Sequence, residues 1–190
     1  QQKRWVGTWA CAPQTVDKRF MPYNNQMNNR AVRQIVKVSI GGKTIRLKLS
    51  NELSTTPVEI ESVYIAQAEN GSDIRKGKVS YLKFSGKDGV TLPAGTAIYS
   101  DELQFELQPL SKIAITINYI KAPKQPTVHM GSRTTSYILK GKANADTSFR
   151  TAFKEEHWFN IAGIEVLSNT ATAIAILGNS ITDGKASTNN

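Results

Sequence analysis

The sequence predicts a mainly β protein, in which an antiparallel, jelly-roll-like β-sandwich is followed by the first parallel strand of an α/β domain. Short segments of alternating apolar and polar residues recur between turn residues, which is typical of a sandwich. No segment before residue 170 keeps a helical period. The pattern changes at residues 172–177, an apolar run with no polar face. We therefore place a β-sandwich domain at residues 1–170 and the start of a second domain at residues 171–190.

Turn signals divide the first domain into short strands. They include Asn70-Gly71 and Pro93-Ala94-Gly95. Strands are predicted at residues 3–12, 58–66, 79–84, 90–92, 103–107, 112–119, 135–139 and 158–166. Loops or irregular segments are predicted at residues 13–29, 121–133 and 141–156.

Residues 31–40 and 43–49 flank the tight turn Gly41-Gly42 and are predicted to pair as a β-hairpin. The second of these segments alternates cleanly, which gives the hairpin one wet face that carries, in part, Lys43, Arg46 and Lys48.

Twelve residues are predicted to form the core of the sandwich. They are Trp5, Trp9, Val36, Val38, Leu47, Ile65, Phe84, Phe105, Ile115, Ile117, Tyr137 and Ile164. Trp5 and Trp9 are interpreted as core residues because large aromatic side chains contribute much of a core's buried area. The alternative is that the two rings form a platform on which sugars stack.

The composition excludes several classes of function. An apolar fraction of 39% and a charged fraction of 21% describe an ordinary globular protein. The net charge is +9, but Lys and Arg form no basic run and are not interleaved with aromatic residues, so no nucleic-acid partner is expected. No apolar stretch approaches the roughly 18 residues of a membrane helix, so no membrane span is expected.

Cysteine and histidine are scarce. A single cysteine, Cys11, excludes an intrachain disulfide, and with only two histidines no metal site is expected. The sequence implies no cofactor. The chain starts at Gln1 without an initiator Met, from which we expect a processed or trimmed polypeptide.

The end of the chain carries the strongest chemical signal. Residues 171–184 read ATAIAILGNSITDG, an apolar strand followed by Gly178-Asn179-Ser180. Gly178 permits a sharp exit from the strand, which places Ser180 just beyond the strand's carboxyl end, where ligands bind in open α/β sheets. A serine on such a turn is positioned as a nucleophile, with backbone N–H groups nearby to bind an oxyanion.

This block resembles the first motif of the GDSL-type esterases, also called SGNH hydrolases. The family reads Gly-Asp-Ser-Ile-Thr-Asp-Gly where this chain has the residues from Gly178 to Gly184, with Asn179 in place of the usual Asp. The resemblance implies that Ser180 is the nucleophile, that its own N–H is one oxyanion donor, and that residues 171–190 begin the hydrolase domain. Because Asn is nearly isosteric with Asp, we expect Asn179 to support the turn in the same way.

The resemblance extends over nearly the whole chain. Upstream segments resemble the non-catalytic β domain that precedes the hydrolase domain in many bacterial members. These segments are residues 5–10, 33–36, 39–42, 49–51, 100–101, 129–133 and 135–137.

The remaining catalytic motifs of the family do not occur in this chain. Neither Gly-x-Asn-Asp nor the Asp-x-x-His that supplies the family's base is present. We therefore expect a second fragment or chain to supply the base and to cover the apolar strand at residues 172–177 with a parallel sheet. Asp183 is interpreted as a helix cap and not as a triad acid.

The two histidines receive structural interpretations. His157 follows Glu155-Glu156, but nothing in the sequence brings it near Ser180. His129 lies in the predicted loop that also holds Arg133, and a packing role is favoured for it. The alternative is that His129 and Arg133 line a substrate cleft, in which Arg133 binds a sugar or a carboxylate.

Two classes of function stay open. The first is the N-terminal part of a serine ester hydrolase that deacylates an acylated carbohydrate, in a periplasmic or secreted bacterial location. The second is a non-catalytic β-sandwich module that binds carbohydrate or a protein partner.

Overall fold

A computed structural model describes residues 3–15, 27–123, 126–130 and 135–168 of the chain. Fourteen strands lie within these residues: β1 (Arg4–Ala10), β2 (Arg30–Lys37), β3 (Gly42–Ser50), β4 (Val58–Gln67), β5 (Ser80–Tyr81), β6 (Val90–Leu92), β7 (Ala97–Tyr99), β8 (Leu103–Leu107), β9 (Lys112–Lys121), β10 (Val128–Met130), β11 (Ser136–Lys140), β12 (Phe153–Glu155), β13 (His157–Phe159) and β14 (Ile161–Ser168). A 3₁₀ turn at Lys76–Lys78 accompanies them. The predicted mainly β character is confirmed.

The strands form two large antiparallel sheets and one ribbon. The five-stranded sheet has the order β1-β14-β3-β7, and β8 also pairs with β3. The seven-stranded sheet has the order β12-β11-β2-β9-β4-β5, and β6 also pairs with β4. The ribbon consists of β10 and β13. All of these pairs are antiparallel, as the sequence predicts.

The two large sheets share one hydrophobic core. Ile45 and Leu47 of β3 belong to the same buried cluster as Val36 of β2 and Ile115 of β9. Ten of the twelve predicted core residues are buried. The other two, Trp5 and Tyr137, are only partly buried, so the prediction is wrong for them.

A β-bulge explains why Trp5 and Trp9 point in different directions. In a regular strand, residues four apart share a face. Between Gly7 and Trp9, however, β1 advances two residues while β14 advances one, from Glu165 to Ile164. The extra residue turns Trp9 into the core, where it meets the ring of Trp158 at 4.8 Å. Trp5 stays on the outer face of the five-stranded sheet.

The predicted hairpin of residues 31–49 does not form. Its first half is β2 in the seven-stranded sheet and its second half is β3 in the five-stranded sheet, so the turn crosses between the sheets. A Cβ atom at Gly41 would lie 2.4 Å from the carbonyl oxygen of Leu107, and this close approach requires glycine. A Gly-Gly turn signals a tight reversal, but it does not determine which sheet the next strand joins.

The sequence prediction missed some strands and joined two others into one. β7 and β12 were not predicted, and β10 lies inside the predicted loop of residues 121–133. The single strand predicted at residues 158–166 is instead divided into β13 and β14 at Asn160, whose φ of +61° is left-handed.

The seven-stranded sheet is covered on its outer face as well. Residues 68–79 and 141–152 supply two small apolar clusters there, one around Tyr64 and one around Phe149. Asn118 of β9 ties the second segment down, because its side-chain amide exchanges two hydrogen bonds with the backbone of Ala143. β2 and β9 are therefore buried on both faces.

A buried amide connects β2 to the ribbon. Nε2 of Gln34 donates to the carbonyl oxygen of Phe159 at 3.0 Å, and Oε1 of Gln34 accepts from the N–H of the same residue. The Gln34 side-chain amide thus bonds to the backbone of Phe159 in the way that the backbone of a neighbouring strand would. Nearby, Nε1 of Trp158 donates to the carbonyl oxygen of Ile35 at 3.2 Å.

Replacing Gln34 with leucine should destabilise the fold strongly. Gln34→Leu keeps a side chain of similar size but removes both hydrogen bonds that the Gln34 amide makes to the buried backbone of Phe159, which costs about 1–3 kcal/mol for each group. Urea unfolding monitored by tryptophan fluorescence measures the loss. Gln108→Leu, at an exposed glutamine, is the matched control and should change stability little. Equal stability of the two variants would contradict the role given to Gln34.

Candidate functional site

The predicted catalytic block lies outside the described residues. Gly178, Asn179 and Ser180 belong to residues 169–190, and Arg133 belongs to residues 131–134, neither of which the structure describes. Their roles stay predictions, and so does the boundary at residue 170.

The ribbon brings the two histidine positions onto neighbouring strands. In the register of β10 with β13, His129 lies opposite Trp158 and Met130 lies opposite His157. The sequence placed His129 in a loop and His157 at the edge of a separate strand, and no local pattern indicated that the two segments pair. The part of the fold that holds both histidines is therefore a single two-stranded element.

A polar corner lies beside the ribbon and is built on Asn160. The Asn160 N–H donates to the carbonyl oxygen of Thr127 at 2.9 Å, and its carbonyl oxygen accepts from the N–H of Ser50 at 2.7 Å. Nδ2 donates to the carbonyl oxygen of Ser50 at 2.8 Å, and Oδ1 accepts from the hydroxyl of Tyr119 at 2.8 Å. Each polar group of Asn160 is thus engaged, which fixes the left-handed turn between β13 and β14. This corner is structural and holds the ribbon against the ends of β3 and β9.

Tyr119 gives the corner a pH dependence. Complete burial raises the pKa of the Tyr119 phenol above its ordinary value of 10.0, because a buried phenolate would lose its hydration. As pH rises above 10, the unfolded chain therefore loses this proton before the folded chain does. The stability that the neutral phenol contributes is fully present below pH 10.0 and is lost as pH increases beyond it.

Replacing Tyr119 with phenylalanine should make the alkaline loss of stability less steep. Near neutral pH, Tyr119→Phe should cost about 1–2 kcal/mol, because Oδ1 of buried Asn160 loses its donor. Above pH 10 the difference in free energy of unfolding between the variant and the parent chain should become smaller. Urea unfolding between pH 7 and 11 provides the measurement. Tyr81→Phe is the comparison variant, because Tyr81 is 38% exposed and burial raises its pKa less than that of Tyr119, so its stability should change less with pH. A difference in free energy of unfolding that stays constant with pH would refute the pH dependence assigned to Tyr119.

The outer face of the five-stranded sheet carries an aromatic and cationic cluster, which we call the Arg46 face. It consists of Trp5, Arg46, Lys48, Tyr99 and Glu165. The Arg46 guanidinium carbon lies 4.4 Å from the ring centroid of Trp5 and 3.9 Å from that of Tyr99. The ammonium group of Lys48 lies 5.9 Å from the ring centroid of Tyr99. Strand register places the cluster together, because Arg46 lies opposite Glu165 and Lys48 lies opposite Tyr99.

The charges of the Arg46 face are arranged around Glu165. Arg46 donates to Oε1 of Glu165 from Nε at 2.7 Å and from Nη2 at 2.6 Å. The hydroxyl of Tyr99 donates to Oε2 at 3.3 Å. Burial raises the pKa of Tyr99, and the Glu165 charge raises it further while Arg46 lowers it. The Tyr99 hydroxyl therefore stays protonated at neutral pH, and its side chain is 42% exposed.

The Arg46 face could bind a sugar ring. Aromatic rings and a guanidinium plane offer flat surfaces for stacking, while Lys48 and Glu165 offer a donor and acceptors at the edge. The alternation of residues 43–49 did place Arg46 on a wet face. The sequence did not show that Trp5 and Tyr99 join it, because the bulge in β1 and the position of β7 depend on the tertiary structure.

The described part of the chain contains one thiol but no cluster of metal-ligating side chains. No group of three or more His, Cys, Asp or Glu residues there is arranged to hold a metal ion. This thiol belongs to Cys11, and its Sγ donates to the carbonyl oxygen of Ile161 at 3.4 Å. No helix in the described ranges has the length and apolar character needed to cross a membrane.

Comparisons with known proteins add no family assignment. No family model matches the chain. No curated protein matches it either. The resemblance of residues 178–184 to the GDSL-type block thus stays a prediction from the sequence.

Proposed function

We propose that the chain is the N-terminal part of a serine ester hydrolase of the GDSL type that deacylates an acylated carbohydrate. In this proposal residues 1–170 form a jelly-roll-like domain and residues 171–190 begin an α/β hydrolase domain. The observation that carries the proposal is the block from Gly178 to Gly184, which directly follows the apolar run of residues 172–177. The antiparallel sheets between Arg4 and Ser168 support it, because the resemblance implies a β domain in this position.

The proposed chemistry is an acyl transfer through Ser180. The hydroxyl oxygen of Ser180 attacks the acyl carbon while a base accepts the proton, and the sugar hydroxyl leaves from the tetrahedral intermediate. Water then hydrolyses the acyl-serine. The N–H of Ser180 binds the oxyanion, and Gly178 and Asn179 shape the turn that presents it. The base and the other oxyanion donors come from residues outside this chain, and neither His129 nor His157 is assigned to this role.

The Ser180→Ala substitution should abolish esterase activity in the complete polypeptide that the gene encodes. Removing a serine nucleophile lowers turnover by several orders of magnitude, because no other group forms the acyl intermediate. Release of acetate from acetylated xylan and of nitrophenol from an aryl acetate provides the measurement. The 190-residue chain alone should show only background hydrolysis, because a serine hydroxyl without a base is a weak nucleophile.

Ser187→Ala is the matched control, since this serine lies beyond the block and should be dispensable. Activity that survives Ser180→Ala would refute the role of Ser180. Esterase activity of the 190-residue chain alone would show that the base lies within this chain. His129 and His157 would then be the candidates for the base.

A second candidate function is a non-catalytic module that binds carbohydrate. The observation that favours it is the Arg46 face, where Trp5 and Tyr99 flank a guanidinium on an open sheet surface. Here the sandwich would hold a polysaccharide by stacking, independently of any chemistry at Ser180. Both functions can coexist in one protein if the module brings the hydrolase to its substrate.

Alanine substitutions at the two rings should weaken binding to a soluble polysaccharide. A stacking contact with an aromatic ring contributes about 1 kcal/mol or more, so Trp5→Ala and Tyr99→Ala should each weaken binding about 5-fold or more. Affinity electrophoresis in gels containing xylan, glucomannan or pectin measures the retardation. Tyr81→Ala, at an exposed tyrosine on the other sheet, should bind like the parent chain. If no polysaccharide retards the parent chain, the module function is excluded for these glycans.

A further inference from the structure

Arg33 is a buried cation whose hydrogen-bond partners are all neutral. Its side chain extends from the outer face of β2, and the residue is only 2% exposed. Nε donates to Oγ1 of Thr116 at 2.9 Å, Nη1 donates to the carbonyl oxygen of Ser72 at 2.9 Å, and Nη2 donates to the hydroxyl of Tyr64 at 2.8 Å. The guanidinium carbon lies 4.1 Å from the ring centroid of Phe149.

These contacts satisfy donors but do not balance the charge. Among the described residues no carboxylate forms an ion pair with Arg33. Asp73 is near enough for its charge to act on Arg33, but it is bound to Arg150 at 2.8 Å. Burial lowers the pKa of Arg33, while Tyr64 and Asp73 raise it. Arginine nevertheless stays charged in proteins, so a positive charge is held in a place where charge is costly.

A cleft opens beside this charge. Its volume is about 550 Å³, and its lining includes Arg33, Asp73, Arg75, Lys76, Ser148 and Arg150. Four cationic side chains and only two acidic ones, Glu69 and Asp73, border it. The lining therefore has an excess of two positive charges at neutral pH. The hydroxyl group of Ser148 adds a neutral donor to the same wall.

We propose that this cleft binds a tetrahedral oxyanion, a sulfate or phosphate group, whose negative charge compensates the buried Arg33. A tetrahedral oxyanion can accept hydrogen bonds from several directions, which suits cations that border the cleft from β2, from the loop after β4 and from the segment before β12. The anion is attracted by the positive charges of Arg75, Lys76 and Arg150. The low polarity around Arg33 strengthens the electrostatic attraction between Arg33 and the anion. The cleft lining shares no residue with the Arg46 face or with the block from Gly178 to Gly184.

The test measures binding of inorganic sulfate and inorganic phosphate to the 190-residue chain by calorimetry, at constant ionic strength in chloride. We expect saturable binding with a dissociation constant in the millimolar range or below. We also expect sulfate to raise the unfolding temperature, because a ligand that binds only the folded state stabilises it.

Variants locate the site. Arg75→Gln and Arg150→Gln should each weaken binding about 10-fold, and Arg33→Met should abolish it. Lys142→Gln removes a cation that is paired with Glu61 outside the cleft lining, and it should leave the affinity unchanged. If Arg33→Met does not fold, Arg75→Gln and a Lys76→Gln variant still decide the question.

The source of the anion is resolved by a second pair of probes, galactose 6-sulfate and galactose. Tighter binding of galactose 6-sulfate than of inorganic sulfate would identify a sulfated glycan as the ligand, whereas equal affinity would identify a free anion. No saturable binding of any oxyanion would overturn the proposal. An equal loss of affinity in Lys142→Gln and Arg75→Gln would do so too, since it would show general attraction by a basic protein.

Discussion

Burial of β2 on both faces is the constraint on which the rest of the fold depends. Its side chains alternate between the core shared by the two sheets and the layer beneath residues 68–79 and 141–152. Two polar residues in the middle of the strand are cut off from bulk water, because Gln34 is 0% exposed and Arg33 is 2% exposed. Each must therefore find its partners inside the protein. Gln34 fixes the β10–β13 ribbon from the inner side, and Arg33 organises the covering segments from the outer side.

The two faces of the molecule differ because the sheets are covered differently. In the described part of the chain the outer face of the five-stranded sheet is partly exposed, and Arg46 is paired there with Glu165. The seven-stranded sheet is covered, so its charge at Arg33 lies in a less polar environment with neutral partners. Open and paired charges suit a stacking surface, whereas an enclosed and unpaired charge suits a site for an anion.

The hydrolase proposal and the features of the sandwich rest on different kinds of evidence. The role proposed for Ser180 is inferred from seven consecutive residues, because a nucleophile turn is a local structure that a short segment can specify. The Arg46 face and the cleft at Arg33 come from residues far apart in the chain. Arg33, for example, meets Ser72, Thr116 and Phe149, which belong to three separate segments. If the chain does precede a hydrolase domain, the sandwich offers two surfaces through which it could influence which glycan reaches Ser180.

The sequence by itself determined where most strands run and most of the core, because alternation and turn residues act locally. It also indicated that Arg46 faces solvent. The tertiary structure decided which strands pair, since nothing near Gly41 shows that β2 and β3 join different sheets. It also decided that Trp5 and Trp9 lie on opposite faces of the sheet. The bulge between Gly7 and Trp9 reverses the face to which each later side chain of β1 points. Finally, it decided that Arg33 is buried, because the segments that cover β2 arrive from distant parts of the chain.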